Sequence, residues 1–123
     1  IMAGLVGSEM CIRDSVIGDV AEKTCVLVDD IVDTAGTICN AAEALKNAGA
    51  KKVISYATHP VLSGPALERI EKSGLDEIIV TDTIPLSEEA SKLNKIKIIS
   101  LEKTIAEAIN RVNKEESVSA MFL

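Results

Sequence analysis

The sequence predicts an α/β domain in which helices flank a parallel β-sheet. Short apolar runs, such as residues 25–28, contain no polar side chain, which is typical of parallel strands buried on both faces. Stretches with helical periodicity follow these runs at short spacing, as right-handed βαβ units require. The chain has 123 residues, of which 47% are hydrophobic, so we expect a single domain with an aliphatic core.

The first strand and helix have the clearest patterns. After the strand at 25–28, residues 37–48 are predicted to form a helix, because apolar residues recur at i, i+3, i+4 and i+7. Gly49 is the predicted end of this helix. The apolar stripe consists of Ile38, Ala41, Ala42 and Leu45.

A second strand at residues 52–58 leads to a second helix with strong start signals. Ser63 is the predicted N-cap and Pro65 suits the first turn, while Gly74 ends the pattern. The remaining predicted elements are a strand at 77–81, a short helix at 87–93 capped by Ser87, a strand at 96–100 and a helix at 101–112.

Composition excludes several classes of protein. The net charge of −6, without a Lys/Arg cluster, argues against a nucleic-acid surface, and no apolar run approaches the ~20 residues of a membrane span. The three cysteines lack C-x-x-C spacing and are predicted to be free thiols. Residues 1–12 contain no basic segment that could begin a secretory signal. Together with the free thiols, this observation predicts a cytoplasmic protein.

Residues 26–37 (VLVDDIVDTAGT) contain the predicted ligand-binding residues. A hydroxyl-rich turn opens directly into the first helix, whose N-terminal amides and partial positive charge suit a phosphate. The turn contains no lysine, so amides and hydroxyls would bind the anion. We expect Gly36 to allow close backbone approach and unusual dihedral angles. The predicted phosphate-binding residues are Asp33, Thr34, Ala35, Gly36 and Thr37.

Asp29 and Asp30 lie where the apolar run ends, and Ile31 and Val32 separate them from this turn. Carboxylates at the end of a parallel strand can contact sugar hydroxyls or magnesium. Because adjacent strand residues point to opposite faces, we expect one of the two to contact the sugar directly. The other would orient the loop or hold a metal ion through water. The tetrapeptide Asp-Thr-Ala-Gly also follows a strand in small GTPases. Those proteins need an upstream phosphate-binding loop of the G-x-x-x-x-G-K-[ST] type, which this sequence lacks.

Residues 26–37 resemble the phosphoribosyl-pyrophosphate-binding motif of type I phosphoribosyltransferases. Four later segments resemble the ribose-phosphate pyrophosphokinases in particular: residues 58–66, 80–85, 105–109 and 116–122. The resemblance runs from about Val16 to the C-terminus. It implies a type I phosphoribosyltransferase-like fold over residues 16–123, as part of the C-terminal domain of such an enzyme.

The resemblance also implies a reaction. These enzymes transfer the diphosphate of ATP to ribose 5-phosphate, with Mg²⁺, to give phosphoribosyl pyrophosphate and AMP. Asp29 and Asp30 would contact the ribose hydroxyls, and residues 33–37 would hold the 5-phosphate. Ser117 and Ser119 match a segment that helps form a regulatory site in many members. The family's subunits form hexamers.

The sequence departs from the family before Val16. The N-terminal domain that supplies most ATP contacts, and the loop carrying the catalytic Lys and Arg, have no counterpart in the chain. We predict that residues 1–15 are an extraneous or unstructured leader, and that the chain alone is inactive. Three alternatives remain: a base-transferring phosphoribosyltransferase, a non-catalytic synthetase-associated subunit, and a simple ribose-phosphate-binding module.

Overall fold

The computed structural model of the chain describes residues 2–4 and 18–123, which form a parallel sheet with helices. The strand order along the sheet is the order in the chain, and every neighbouring pair is parallel. This confirms the predicted α/β class. The strands are β1 (Met2–Gly4), β2 (Thr24–Val32), β3 (Lys52–Pro60), β4 (Glu77–Thr81) and β5 (Ile96–Ile99), and the helices are α1 (Gly36–Asn47), α2 (Ala66–Lys72), α3 (Glu88–Lys92) and α4 (Glu102–Asn113).

The core lies on one face of the sheet. Over residues 24–28 of β2 and 52–57 of β3 every second side chain is buried, including Cys25, Leu27, Val53 and Ala57. These residues form one cluster with the buried side chains of α1 and α2. The period of two along each strand and the stripe along each helix are what a helix layer on a sheet requires.

The strand β2 is longer than the sequence predicts. It continues through Asp29 and Asp30 to Val32, since β3 also extends to Pro60 and pairs with it to the end. Backbone pairing with a neighbouring strand holds polar residues in extended conformation regardless of their side chains. The prediction that the strand ends before the two aspartates was therefore wrong.

The serine caps predicted for α2 and α3 have different outcomes in the structure. The helix α2 begins at Ala66, after Pro65, and no side chain caps it. Ser63, the predicted cap, instead donates its hydroxyl to the Asp33 carboxylate. The predicted cap of α3 is confirmed, because Ser87 Oγ accepts a hydrogen bond from the Ala90 amide at 3.1 Å.

The helix α4 buries none of its residues against the rest of the described chain. Its apolar residues Ile105, Ile109 and Val112 lie on one helical face and are exposed. On the sheet, Val28 and Tyr56 point to the face opposite the core and are also exposed. Among residues 18–123, helices therefore cover one face of the sheet well and leave apolar surface on the other.

Lys95 closes the C-terminal end of α2. Its Nζ donates to the carbonyls of Ile70, Glu71 and Ser73 at 3.0, 3.0 and 2.9 Å. The last carbonyls of a helix lack partners within the helix, and a cation there also interacts favourably with the helix dipole.

Replacing Lys95 by methionine should lower the free energy of unfolding by about 1–2 kcal/mol, because these carbonyls lose their charged donor. Urea denaturation followed by circular dichroism measures the change. Lys97→Met is the matched control: Lys97 is exposed on β5, so its replacement should cost less than about 0.5 kcal/mol. Equal losses in the two variants would contradict a capping role for Lys95.

Candidate functional site

A pocket of about 170 Å³ lies where β2 passes into α1. It is at the carboxyl end of a parallel strand, where ligands bind in sheets of this class. The structure brings together all but one of the seven predicted substrate-binding residues here; Asp30 is the exception. The lining residues are Asp29, Ile31, Val32, Asp33, Thr34, Ala35, Gly36, Thr37 and Ile38.

The start of α1 is open to an anion. Ala35 occupies the N-cap position without a side-chain hydrogen bond to the helix, and the first turn contains no acidic residue. The first amides of α1 therefore have no side-chain acceptor within the helix start, and no carboxylate of the first turn offsets the positive end of the helix dipole. Thr34 and Thr37 are exposed and add two hydroxyl groups. This arrangement suits a phosphate.

The unusual backbone angle falls on Ala35, not on Gly36. Ala35 has a φ of 58°, in the left-handed region, whereas Gly36 is the first residue of the helix. The expectation that Gly36 needs glycine's dihedral freedom was wrong. What requires a small residue at 36 is space: an ideal Cβ there would lie 3.2 Å from Arg69 Nη1.

Asp33 fastens the loop to the β3–α2 connection. Its carboxylate accepts a hydrogen bond from the Ser63 hydroxyl, and its carbonyl accepts one from the Ser63 amide at 3.0 Å. The neighbouring Val32 carbonyl accepts from the Leu62 amide, also at 3.0 Å. The Asp33 side chain is thus engaged in holding the loop, which leaves its role toward a phosphate a prediction.

The two adjacent aspartates occupy different environments. Asp29 is half-buried, lines the pocket and accepts the Asp30 amide on Oδ1 at 2.9 Å. Asp30 is exposed and does not line the pocket, in keeping with the alternation of side chains along a strand. Of the pair, Asp29 is the one placed to contact a ligand seated on the loop.

Arg69 of α2 is a site residue that the sequence reasoning missed. Its Nη1 donates to the Thr34 carbonyl at 3.0 Å, so it contacts the loop from α2. It lines a second cavity, a groove of about 420 Å³ between α1 and α2, and not the pocket of the loop itself. Helical spacing places Arg69 on the exposed side of α2, and nothing local identifies a partner 35 residues away.

His59 and two threonines form a separate polar group at the ends of β3 and β4. His59 Nδ1 lies 2.9 Å from Thr83 Oγ1, and Thr81 Oγ1 donates to the Thr58 carbonyl at 2.6 Å. None of them lines the pocket. These contacts give His59 a structural role between neighbouring strand ends.

Ser117 and Ser119 lie beyond α4, outside the pocket. Both are exposed, and Ser119 begins a 3-10 helix that ends at Phe122. The Ser117 carbonyl accepts a hydrogen bond from Arg111 Nη1 at 3.1 Å. Their regulatory role remains a prediction.

Cys25 and Cys39 are free, as predicted, and both are buried. Burial raises the pKa of the Cys39 thiol, which favours its neutral form. Cys11 lies outside the described residues. Within the described ranges, no three His, Cys, Asp or Glu side chains converge as a metal site would require. No described helix is long and apolar enough to cross a membrane.

A family model, the phosphoribosyl synthetase-associated domain, matches residues 11–123. The chain belongs to this family. Among curated relatives of the chain, the ribose-phosphate pyrophosphokinase of Coxiella burnetii is 63% identical over 109 residues, which are 89% of this chain and 34% of that protein. The ribose-phosphate pyrophosphokinase of Haemophilus influenzae is 55% identical over 107 residues, covering 87% of this chain and 34% of that protein.

The fold has a solved counterpart. The phosphoribosylpyrophosphate synthetase from Mycobacterium smegmatis matches with a TM-score of 0.75 and 42% identity, over 80% of this chain and 33% of that one. The resemblance seen in the sequence is thereby confirmed. The chain spans about a third of the length of the relatives it matches. The proposed limits of the leader, residues 1–15, remain a prediction, although β1 lies within them and pairs with β2.

Proposed function

We propose that this chain is the ribose-5-phosphate-binding part of a ribose-phosphate pyrophosphokinase. The complete enzyme would transfer the diphosphate of ATP to the 1-hydroxyl of ribose 5-phosphate, giving phosphoribosyl pyrophosphate and AMP. The observation that carries the proposal is one pocket that contains both the uncapped start of α1 and the Asp29 carboxylate. The names of the relatives favour this reaction over base transfer.

The two parts of the pocket suit the two parts of the substrate. The amides at the start of α1, with the hydroxyls of Thr34 and Thr37, would bind the 5-phosphate. Asp29 would accept hydrogen bonds from the ribose hydroxyls, and such bonds to a charged acceptor are strong. Fixing both ends of the sugar phosphate would orient its 1-hydroxyl for attack on ATP.

Magnesium is part of the proposal. The donor set fits it, because Mg²⁺ is commonly held by one or two carboxylates together with substrate oxygens, and Asp29 supplies a carboxylate beside the expected sugar. Asp30, the next residue of β2, is the other candidate ligand for the ion. When bound, the ion would offset the negative charge of the diphosphate.

Diphosphate transfer would need more than this pocket offers. In the described part of the chain, the pocket lining contains Asp29 and Asp33 but no lysine or arginine. Positive charge around the transferred group is the main requirement of such chemistry. The catalytic cations and most ATP contacts would come from other parts of the parent enzyme, so the chain alone would bind the sugar phosphate without turnover.

Exposed apolar surface supports association with other subunits, as hexamers of the parent enzyme would require. Ile109 and Val112 of α4 are 64% and 66% exposed, and Val28 on the open sheet face is 50% exposed. Exposed apolar side chains grouped on one helical face, as on α4, are typical of interaction sites. Regulation through Ser117 and Ser119, and a cytoplasmic location, are further parts of the proposal.

Neutralising the two aspartates separately tests the proposed ribose contact. Asp29→Asn should weaken ribose 5-phosphate binding about tenfold or more, because a charged acceptor beside the ligand is lost. Asp30→Asn, which removes the same charge on the opposite side of β2, should change the dissociation constant by less than about threefold. Isothermal titration calorimetry measures both. Equal effects of the two substitutions would contradict the assignment of Asp29 as the principal ribose contact.

A further inference from the structure

We propose that Arg69 is a positioning residue for the phosphate-binding loop, residues 33–37. It would hold the loop in its phosphate-binding conformation from the side facing away from the pocket. It would also supply the positive charge that the loop lacks. This inference rests on the proposed function, because it assigns to Arg69 a role in binding the 5-phosphate.

The orientation of one peptide unit carries the first part of the inference. Arg69 Nη1 donates to the Thr34 carbonyl at 3.0 Å. In a planar trans peptide the carbonyl and the following amide point in opposite directions, so this bond directs the Ala35 N–H away from Arg69. Arg69 lines the groove between α1 and α2, whereas Ala35 lines the pocket of the loop. The guanidinium thus controls which way a loop amide faces without entering the pocket.

The loop also needs such support. Ala35 has a φ of 58°, a left-handed conformation that is strained for a residue with a side chain. A conformation of this kind persists only where surrounding contacts hold it. Here they come from the β3–α2 connection and from α2: Ser63 bonds to Asp33, two residues before Ala35, and Arg69 bonds to Thr34, the residue before it.

Charge supports the second part of the inference. The described lining of the pocket carries two carboxylates, Asp29 and Asp33, and no cation, although the expected ligand is a phosphate dianion. Arg69 is the cationic side chain that contacts the loop within residues 18–123. Gly36 is what allows its approach, because a Cβ at position 36 would lie 3.2 Å from Nη1.

Three variants of α2 test the role: Arg69→Met, Arg69→Lys and the control Lys72→Met. Lys72 lies one turn further along α2 and pairs with Glu68, so its replacement removes the same charge away from the loop. Calorimetry with ribose 5-phosphate and with inorganic phosphate as separate ligands gives the dissociation constants. Thermal unfolding shows whether each variant is folded.

We expect Arg69→Met to weaken binding of both ligands about tenfold, Arg69→Lys to recover most of the loss, and Lys72→Met to stay within twofold of the wild type. Asp29→Asn should affect only the sugar ligand. Wild-type binding should also be tighter at pH 7.5 than at pH 5.5, because the second pKa of a phosphate ester is about 6, and Arg69→Met should reduce that preference. If Arg69→Met does not fold, Arg69→Lys decides, with a loss of about threefold expected.

Three results would overturn the inference. Arg69→Met could bind both ligands as the wild type does, or Lys72→Met could lose as much affinity as Arg69→Met. If Arg69→Met does not fold, Arg69→Lys could bind both ligands as tightly as the wild type does. These outcomes leave the proposed function intact, since they require wild-type binding of ribose 5-phosphate. A wild-type chain that binds neither ligand would reject the proposed function and this inference together.

Discussion

Replacing Gly36 by valine should raise the dissociation constant for ribose 5-phosphate more than tenfold, a loss of at least about 1.4 kcal/mol. Position 36 has little room, because an ideal Cβ would lie 3.2 Å from Arg69 Nη1 and 3.9 Å from Thr34 Oγ1. Valine adds two methyl groups beyond that Cβ. They would displace Arg69 from the Thr34 carbonyl or enter the space in front of the loop amides, and either change disturbs the phosphate site.

A graded series separates this effect from helix destabilisation. Gly36→Ala should cause a smaller loss, since the flexible end of Arg69 can move by the few tenths of an ångström needed. Asn40→Val places valine at an exposed position one turn further along α1 and should leave affinity within twofold. Calorimetry at constant pH measures all three. Unchanged affinity of a folded Gly36→Val chain would rule out the proposed phosphate site.

The purified chain should bind ribose 5-phosphate and yet form no AMP from ATP at any magnesium concentration. The described pocket holds the uncapped start of α1 and Asp29 but no lysine or arginine that could neutralise a transferring diphosphate. Stabilisation of that charge supplies most of the acceleration in phosphoryl transfer, so its loss removes activity and not merely part of it.

A coupled assay for AMP, run beside a binding titration on the same sample, measures both properties. The ribose-phosphate pyrophosphokinase of Coxiella burnetii, 63% identical over the shared region, is the positive control. Turnover by the chain that Gly36→Val abolishes would show that the catalytic groups are present after all. It would overturn the division of labour proposed here, while a chain that neither binds nor reacts would overturn the proposed function itself.

Local patterns were sufficient for most of the architecture. The strand at Glu77–Thr81 and the serine cap of α3 agree with the sequence prediction, and α1 begins and ends one residue before the predicted limits. These features depend on residues within one turn or one strand of each other, such as the apolar stripe from Ile38 to Leu45. The pocket was predictable for the same reason, because Asp29 and residues 33–37 are close in the sequence.

Features that depend on distant partners could not be predicted in this way. The strand β2 extends past its aspartates because β3 pairs with it, and Ser63 leaves the helix it was expected to cap for a carboxylate 30 residues away. Arg69 reaches a carbonyl 35 residues away, and the left-handed backbone falls on Ala35. No local preference encodes such contacts, since they arise only when β3, the β3–α2 connection and α2 pack beside β2 and α1.

The sequence by itself determined the α/β class, the order of its elements and the location of the proposed phosphate-binding loop, because these depend on periodicity and on residues that are neighbours in the chain. The tertiary structure decided how that loop is held: which aspartate lines the pocket, what Ser63 binds, and the position of Arg69 behind Thr34. The physical reason is that an anion site needs amides fixed in one direction, and here side chains from another helix and its preceding loop fix them.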